Sequence, residues 1–285
     1  MRLTMASPTY PNVLTIAGVD PSGGAGILAD VKAISALGAY ACAVVAALTA
    51  QNTQAVTAVQ AVPPGFLRAQ LDTLFADVRI DAAKIGMVGE RAAIETVAAG
   101  LAGRVPAHLV LDPVMIAKSG DALLARDAIG ALREALLPLA TVLTPNLPEA
   151  GALLERRAPD NLAEMRAAAE ALREKMTHAG RRWVFLKGGH LTAGAATDLL
   201  FDGDRMHELS APRLDTRNTH GTGCTLSAAL AALLPQSADV PAAARAAKEY
   251  LTAALRRADE LSVGRGHGPV FHFHRFWGAR SGGRR

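Results

Sequence analysis

The stretch NTHGTGCT, residues 218–225, sets Gly221 and Gly223 among Thr219, Thr222 and Cys224, directly ahead of the apolar run LSAALAALL. A helix opening there leaves its first N–H groups unpaired, points partial positive charge outward and lets a phosphate come close over the glycines. Gly221 to Cys224 therefore read as an anion hole. The plainer alternative is a core helix capped by Thr219 or Thr222. Familiar nucleotide loops are absent, since the chain has no G-x-x-x-x-G-K-[ST] and no dinucleotide-type glycine fingerprint.

Carboxylates and lysines supply the complementary chemistry. Asp112 ends the run HLVLD, and Glu149 follows Asn146 by three residues in TPNLPEA, at the head of a helix. Facing one edge of a sheet, these acids could hold Mg²⁺, directly or through water, beside a nucleotide's β- and γ-phosphates. Lys187 closes WVFLK ahead of Gly188-Gly189, and Lys118 lies in AKSGD; either places positive charge on a transferring phosphoryl group. His190 and His220 fall in candidate loops. His272 and His274 alternate in FHFH as if along an extended run, where packing or exposure is expected rather than metal binding. On the acceptor side, AGVDPSGGAG carries Asp20 and Ser22, and TAQNT carries Gln51 and Asn52. An amide offers both a donor and an acceptor, which suits an aminopyrimidine or pyridine edge, and Met87 offers a polarisable wall for a ring.

The elements that must position these groups alternate along the chain. Short β-rich runs such as NVLTIAG, AAKIGMVG, AHLVLDPV and RWVFLKGG are followed by helical patterns such as GILADVKAISALG, AAIETVAAGL and AEMRAAAEALREKM. A helix is expected over 121–137, and long helices around 222–234 and 240–261. Such alternation predicts an α/β fold with a mostly parallel sheet covered on both faces, and one domain over 1–285 with flexible tails at about 1–11 and 278–285. In such sheets ligands bind at the carboxyl ends of the strands. All the residues singled out above except His272 and His274 sit in loops at such ends.

Taken together, AGVDPSGGAGILADVKAISALGAY, TAQNT, VRIDAAKIGMVGE, LDPVMIAKSGD, LTPNLPEA, LKGGH, NTHGTGCTLSAALAALL and VGRGHGPVFHF resemble the hydroxymethylpyrimidine/phosphomethylpyrimidine kinases of thiamine biosynthesis, a branch of the ribokinase-like family. The similarity runs in order from about Val13 to His274. It implies a three-layer α/β/α ribokinase-like fold, dependence on ATP and Mg²⁺, and two phosphoryl transfers: first to the hydroxymethyl group of 4-amino-5-hydroxymethyl-2-methylpyrimidine, then to the resulting monophosphate. By the family pattern Gly18, Asp20, Gln51 and Met87 line the pyrimidine pocket, and Asp112 and Glu149 manage the metal. Asn146, Glu149, Lys187 and Thr219 meet the nucleotide, and Gly221, Thr222, Gly223 and Cys224 form the anion hole. A homodimer is also implied. The wider family usually places an aspartate base where this chain has Cys224, but cysteine is usual in this branch. At a helix N-terminus its thiol pKa is expected to be depressed, so that it could accept the hydroxymethyl proton. Pyridoxal kinases share the fold and are the enzymatic alternative; a non-catalytic pyrimidine-binding module is the alternative of another class.

Composition narrows the field further. A net charge of +4 comes from arginines spread along the chain and gathered at its end, and aromatics are only 4%, too few to build a basic, aromatic-lined nucleic-acid surface. Two cysteines exclude a disulfide framework and suit a reducing compartment. The opening lacks a signal-peptide stretch, and ACAVVAALTA is too short to span a bilayer, so a cytoplasmic protein that does not engage membranes is expected. MIAKSGD and DPSGGAG are lid candidates, being rich in small residues.

Overall fold

The computed structural model describes residues 10–117, 120, 123, 124, 126–177, 179–189, 191 and 196–278. Most of both expected tails, Lys118 with two further residues of the MIAKSGD lid candidate (119 and 121), and His190 lie outside the described residues.

Nine strands form one sheet: β1 (Asn12–Val19), β2 (Tyr40–Gln51), β3 (Val56–Ala61), β4 (Ala82–Ile85), β5 (His108–Leu111), β6 (Val142–Leu143), β7 (Trp183–Leu186), β8 (Ala196–Phe201) and β9 (Met206–Ala211), in the order β3-β2-β1-β4-β5-β6-β7-β8-β9. From β2 through β7 neighbours run parallel, while β3, β8 and β9 join antiparallel. Among the described residues the helices are α1 (Gly26–Ala36), α2 (Pro64–Asp77), α3 (Arg91–Leu101), α4 (Arg126–Ala131), α5 (Leu147–Leu154), α6 (Leu162–Lys175), α7 (Thr222–Leu233) and α8 (Val240–Arg256).

The pleat sorts the apolar side chains into two cores. Leu14, Ile16 and Ile85 pack with α2 to α6 on one face, whereas Val13, Ala82 and Val110 pack with α1, α7 and α8 on the other. Strands buried on both faces need near-continuous apolar runs, which is why the central strands read that way in the sequence. The chain leaves β1 for β2 and β3 on one side and returns to β4 on the other. The strand order thus reverses between β1 and β4, and in open sheets of this kind ligands bind beyond the strand ends at such a reversal.

Three local expectations need correction. The helix foreseen over 121–137 starts as α4 at Arg126, widens into a π turn over 132–136 and ends in a 3₁₀ turn over 137–139. Pro138 has no N–H to continue the ladder. The last strand, β9, was not anticipated, because MHELSA lacks an apolar run and is exposed or half-buried along its length except at Leu209. FHFH is a series of turns rather than an extended run; His272 and His274 are both buried there, so packing is the correct alternative.

Candidate active site

Two glycine-rich loops interlock at the strand ends. After β1, the Asp20 carboxylate accepts from Ser22 N–H (2.8 Å), Ser22 Oγ (2.9 Å) and Ala25 N–H (2.9 Å), folding DPSGGAG back on itself. His220 reaches across from the loop before α7, its Nε2 2.7 Å from Asp20 Oδ2. Burial pushes the Asp20 carboxyl up, but the His220 and Ser22 hydrogen bonds outweigh it and leave the pKa lowered. Gly221 lies alongside at φ +75°, and a Cβ on it would sit 1.7 Å from the Gly24 carbonyl oxygen. Only glycine allows both that backbone conformation and that approach.

Gly221 is also the N-cap of α7, and no side chain caps the helix. The Thr219 or Thr222 cap is therefore not formed: Thr219 belongs to the preceding turn and Thr222 is the first helical residue. The Thr225 N–H makes the first helical bond, to Gly221 C=O at 2.8 Å, so the N–H groups of Gly223 and Cys224 stand outside the helical ladder. Their partial positive charge faces the site.

Below that helix start lies a buried charged cluster. Lys187 Nζ donates to Asp112 Oδ1 at 2.8 Å and lies 3.9 Å from Glu149 Oε2. Ser227 Oγ, one turn into α7, donates to Asp112 Oδ2 at 3.0 Å, and Thr144 Oγ1 lies 3.3 Å from Asp112 Oδ1. A Cβ on Gly223 would stand 3.4 Å from Lys187 Nζ, so the anion hole and the ammonium face each other. Asn146 caps α5 in a reciprocal box with Glu149: the Glu149 N–H donates to Asn146 Oδ1 (2.9 Å), and the Asn146 N–H donates to Glu149 Oε2 (2.7 Å).

Electrostatics divide these carboxyls. Burial raises the Asp112 pKa, but Lys187 and Lys84 outweigh it, so Asp112 is held below its ordinary range. For Glu149 burial prevails over Lys187, and Asp112 adds to it; its carboxyl is pushed up to about 7. Burial lowers Lys187, yet Asp112 and Glu149 more than restore it, and it stays charged. Cys224 departs from expectation. Burial pushes its thiol up to about 11, against the opposing pull of Lys84 and the Gly26 backbone N–H. The helix N-terminus does not by itself yield a thiolate, because the surroundings of the half-buried Cys224 disfavour its charged form.

At the acceptor end, Gly18 N–H donates to the Met87 carbonyl at 2.9 Å, joining β1 to the segment after β4 across the switch point. A Cβ on Gly18 would lie 2.6 Å from Met87 Cε, so the methionine covers the glycine. Thr49 Oγ1 donates to Val19 C=O at 2.9 Å and lies 3.1 Å from Gln51 Oε1, tying Gln51 to the same strand end. Thus Gly18, Asp20, Gln51 and Met87 gather at the β1, β2 and β4 ends, and Asp112, Asn146, Glu149 and Lys187 at the β5, β6 and β7 ends.

Sequence reasoning missed Ser227, the locking role of His220, and the fully buried pair of Lys84 with Asp30, 2.8 Å apart. The signal for the pair was present: a lysine inside the apolar run AAKIG and an aspartate inside ILADVKAI have no reason to be there except each other.

The acids suit a magnesium–nucleotide pair. Asp112 and Glu149 converge on one ammonium, and both Asp112 oxygens already accept from the protein, which favours Mg²⁺ held through its own waters and phosphate oxygens. Among the described residues no cluster of three or more His, Cys, Asp or Glu is placed to hold a metal, and no helix is long and apolar enough to cross a membrane.

Comparison with known proteins shows the family of the chain. Residues 20–271 match the family model described as phosphomethylpyrimidine kinase. The chain is 53% identical over 264 residues to a hydroxymethylpyrimidine/phosphomethylpyrimidine kinase of Rhizobium meliloti, covering 93% of this chain and 97% of the relative. Among solved structures, a phosphomethylpyrimidine kinase from Clostridium difficile superposes with a TM-score of 0.75 at 37% identity, covering 85% of this chain and 98% of that one. An ADP complex of Bacillus subtilis pyridoxal kinase superposes with a TM-score of 0.84 at 35% identity, covering 93% and 98%.

Proposed function

This chain belongs to the phosphomethylpyrimidine kinase family, and from that premise we propose that it phosphorylates 4-amino-5-hydroxymethyl-2-methylpyrimidine with ATP and then converts the monophosphate to the pyrophosphate, in thiamine biosynthesis. The observation that carries the reading is the Lys187–Asp112–Glu149 cluster facing the open N-terminus of α7, on the same sheet edge as the Gly18–Met87 contact. A kinase needs these two things side by side: fixed charge for a moving phosphoryl group and an apolar-walled seat for the acceptor.

In this reading Gly18, Asp20, Gln51 and Met87 seat the pyrimidine, with Asp20 acting mainly by fixing its loop through Ser22, Ala25 and His220. Asn146, Glu149, Lys187 and Thr219 meet the nucleotide. The N–H groups of Gly223 and Cys224, beside Gly221 and Thr222, accept the charge that develops on the transferring group. Asp112 and Glu149 would hold Mg²⁺, which when bound would supply charge neutralisation of the phosphates. Lys187 stays protonated between the two acids and swings little, since Asp112 anchors it.

The two transfers place different demands on the chain. In the first, the alcohol oxygen forms its bond to phosphorus as the bond to ADP breaks, and the hydroxyl proton passes to the Cys224 sulfur. In the second, the acceptor is a phosphate monoester, already anionic near neutral pH, which needs alignment more than a base. Burial keeps the resting thiol protonated at neutral pH, with its pKa near 11. The first transfer should therefore quicken about tenfold per pH unit through the neutral range, while the second does not. Cys224→Ala should slow the first single-turnover rate roughly 10²-fold and spare the second; equal losses in both would sink this division.

Mass-resolved product analysis with ATP and each acceptor tests the whole reading. A doubly phosphorylated pyrimidine supports it, whereas phosphorylation of pyridoxal alone would favour the second reading, a pyridoxal kinase, which the likeness to the Bacillus subtilis structure motivates. We place the protein in the cytoplasm, in line with two free cysteines, and as a homodimer, in line with half-exposed Leu48 and Val59 on the β2–β3 ribbon. Sedimentation at micromolar concentration tests the dimer.

A further inference from the structure

Asp198 on β8 and Lys248 on α8 form a buried ion pair that no step above uses. Lys248 Nζ donates to Asp198 Oδ2 at 2.6 Å and to the Ala196 carbonyl at 2.8 Å. The other carboxylate oxygen, Asp198 Oδ1, accepts from the Gly188 N–H at 2.9 Å. An apolar pair of similar size would fill the same space with no loss of stability. It would, however, leave the buried Gly188 N–H without an acceptor.

That N–H belongs to the residue directly after Lys187. The antiparallel ladder between β7 and β8 pairs Leu186 with Leu199 and ends there. Beyond it the two chains still press together, since a Cβ on Gly188 would lie 1.9 Å from the Thr197 carbonyl oxygen. A side chain, Asp198, now supplies the acceptor that the ladder no longer does. The Lys187 N–H turns instead to the Pro145 carbonyl, at 2.8 Å, just past the end of β6. The two amides that flank the Lys187 Cα are therefore fixed separately, one from the β6 end and one by Asp198. From that backbone the lysine stem carries Nζ to 2.8 Å from Asp112 Oδ1. Asp198 lies two residues from Leu200, on the sheet face that α8 helps to cover, which is how Lys248 reaches it.

We propose that Asp198, aimed by Lys248, is a positioning residue for Lys187: its Oδ1 fixes the Gly188 amide and with it the backbone from which the Lys187 ammonium reaches the nucleotide phosphates. The role needs an acceptor oxygen at that point rather than a charge. A reacting group displaced by a fraction of its contact distance loses much of its effect, so the value of this bond lies in placement. The inference rests on Lys187 meeting the nucleotide, but its test requires no acceptor substrate.

The test compares two uncharged replacements of the pair by calorimetric titration with AMP-PCP and Mg²⁺. Asp198→Leu with Lys248→Met removes the acceptor for Gly188, and the Kd should rise roughly tenfold. Asp198→Asn with Lys248→Gln keeps an amide oxygen for Gly188 and a donor for Ala196, and the Kd should stay within about threefold of the parent. In a Lys187→Gln background, which retains a donor for Asp112 but lacks the charge, the two replacements should bind AMP-PCP alike. A merely structural role would weaken binding to the same degree with Lys187 present or absent. Equal Kd values for the two replacements in the parent background, or a difference that persists after Lys187→Gln, overturn the proposal. Should the leucine variant not fold, Asp198→Val with Lys248→Met carries the same expectation. A chain that passes this test yet phosphorylates pyridoxal alone would lose its pyrimidine assignment and keep this one.

Discussion

The two ends of the site are built on opposite principles. At the phosphate end, charged groups are stacked in the interior: Asp112, Glu149 and Lys187 lie within one cluster, neutralising one another under the first turn of α7. At the acceptor end the one ionised carboxylate, Asp20, has its oxygens committed to Ser22, Ala25 and His220, and the rest is glycine, methionine and amide. A buried charged cluster is strong because low polarity magnifies every interaction, and fragile because removing one member leaves another unpaired. A neutral pocket is tuned by shape, and its changes cost less.

That contrast orders the expected effects of substitution. Asp112→Asn should be the most damaging, lowering kcat by roughly 10²–10³-fold, since Lys187 loses its anchor and the phosphoryl group loses its fixed counter-charge; stopped-flow measurement of ADP release reads this. Gly24→Ala would put a methyl 2.2 Å from His220 Cδ2, a buried ring that cannot yield cheaply. It should pry apart the two loops and weaken both substrates together, visible as parallel rises in both KM values, which would show that the lock serves both ends.

Glu149→Gln sharpens the comparison through pH. The Glu149 carboxyl is raised from 4.5 to about 7 in the folded chain, so folded protein binds the extra proton between those values. Its contribution to stability is complete below 4.5 and is lost as pH rises through about 7. The melting temperature of the parent, without metal or nucleotide, should accordingly fall across that window relative to Glu149→Gln. The smallest effect is expected from Gly18→Ala, whose methyl would meet the movable end of Met87 at 2.6 Å. The acceptor KM should rise roughly tenfold, about 1.4 kcal/mol, with kcat and the ATP KM unchanged. A fall in kcat instead would mean that the acceptor end is wired to the charges.

Much of this site could be read before any coordinates. Asp112, Asn146, Glu149 and Lys187 follow strands whose apolar runs announce them, and a strand's end in a parallel sheet is a fixed address. The Asn146–Glu149 box is local chemistry written in three residues. By contrast, the Thr219 or Thr222 cap failed because Gly221 must lie against Gly24, a contact between segments about 200 residues apart. The π turn over 132–136 and the polar edge strand β9 were unreadable for a related reason: periodicity describes a face to be buried, and neither depends on one.

The amino-acid sequence by itself determined the layered α/β architecture and the glycine, carboxylate and lysine loops along one sheet edge, because apolar period, turn chemistry and strand ends are local properties. Only the tertiary structure decided the charge states. Cys224 stands where a helix dipole favours thiolate, yet burial pushes its thiol up to about 11, and Glu149 up to about 7, because the cost of taking charge out of water depends on everything packed around a group rather than on its neighbours in the chain.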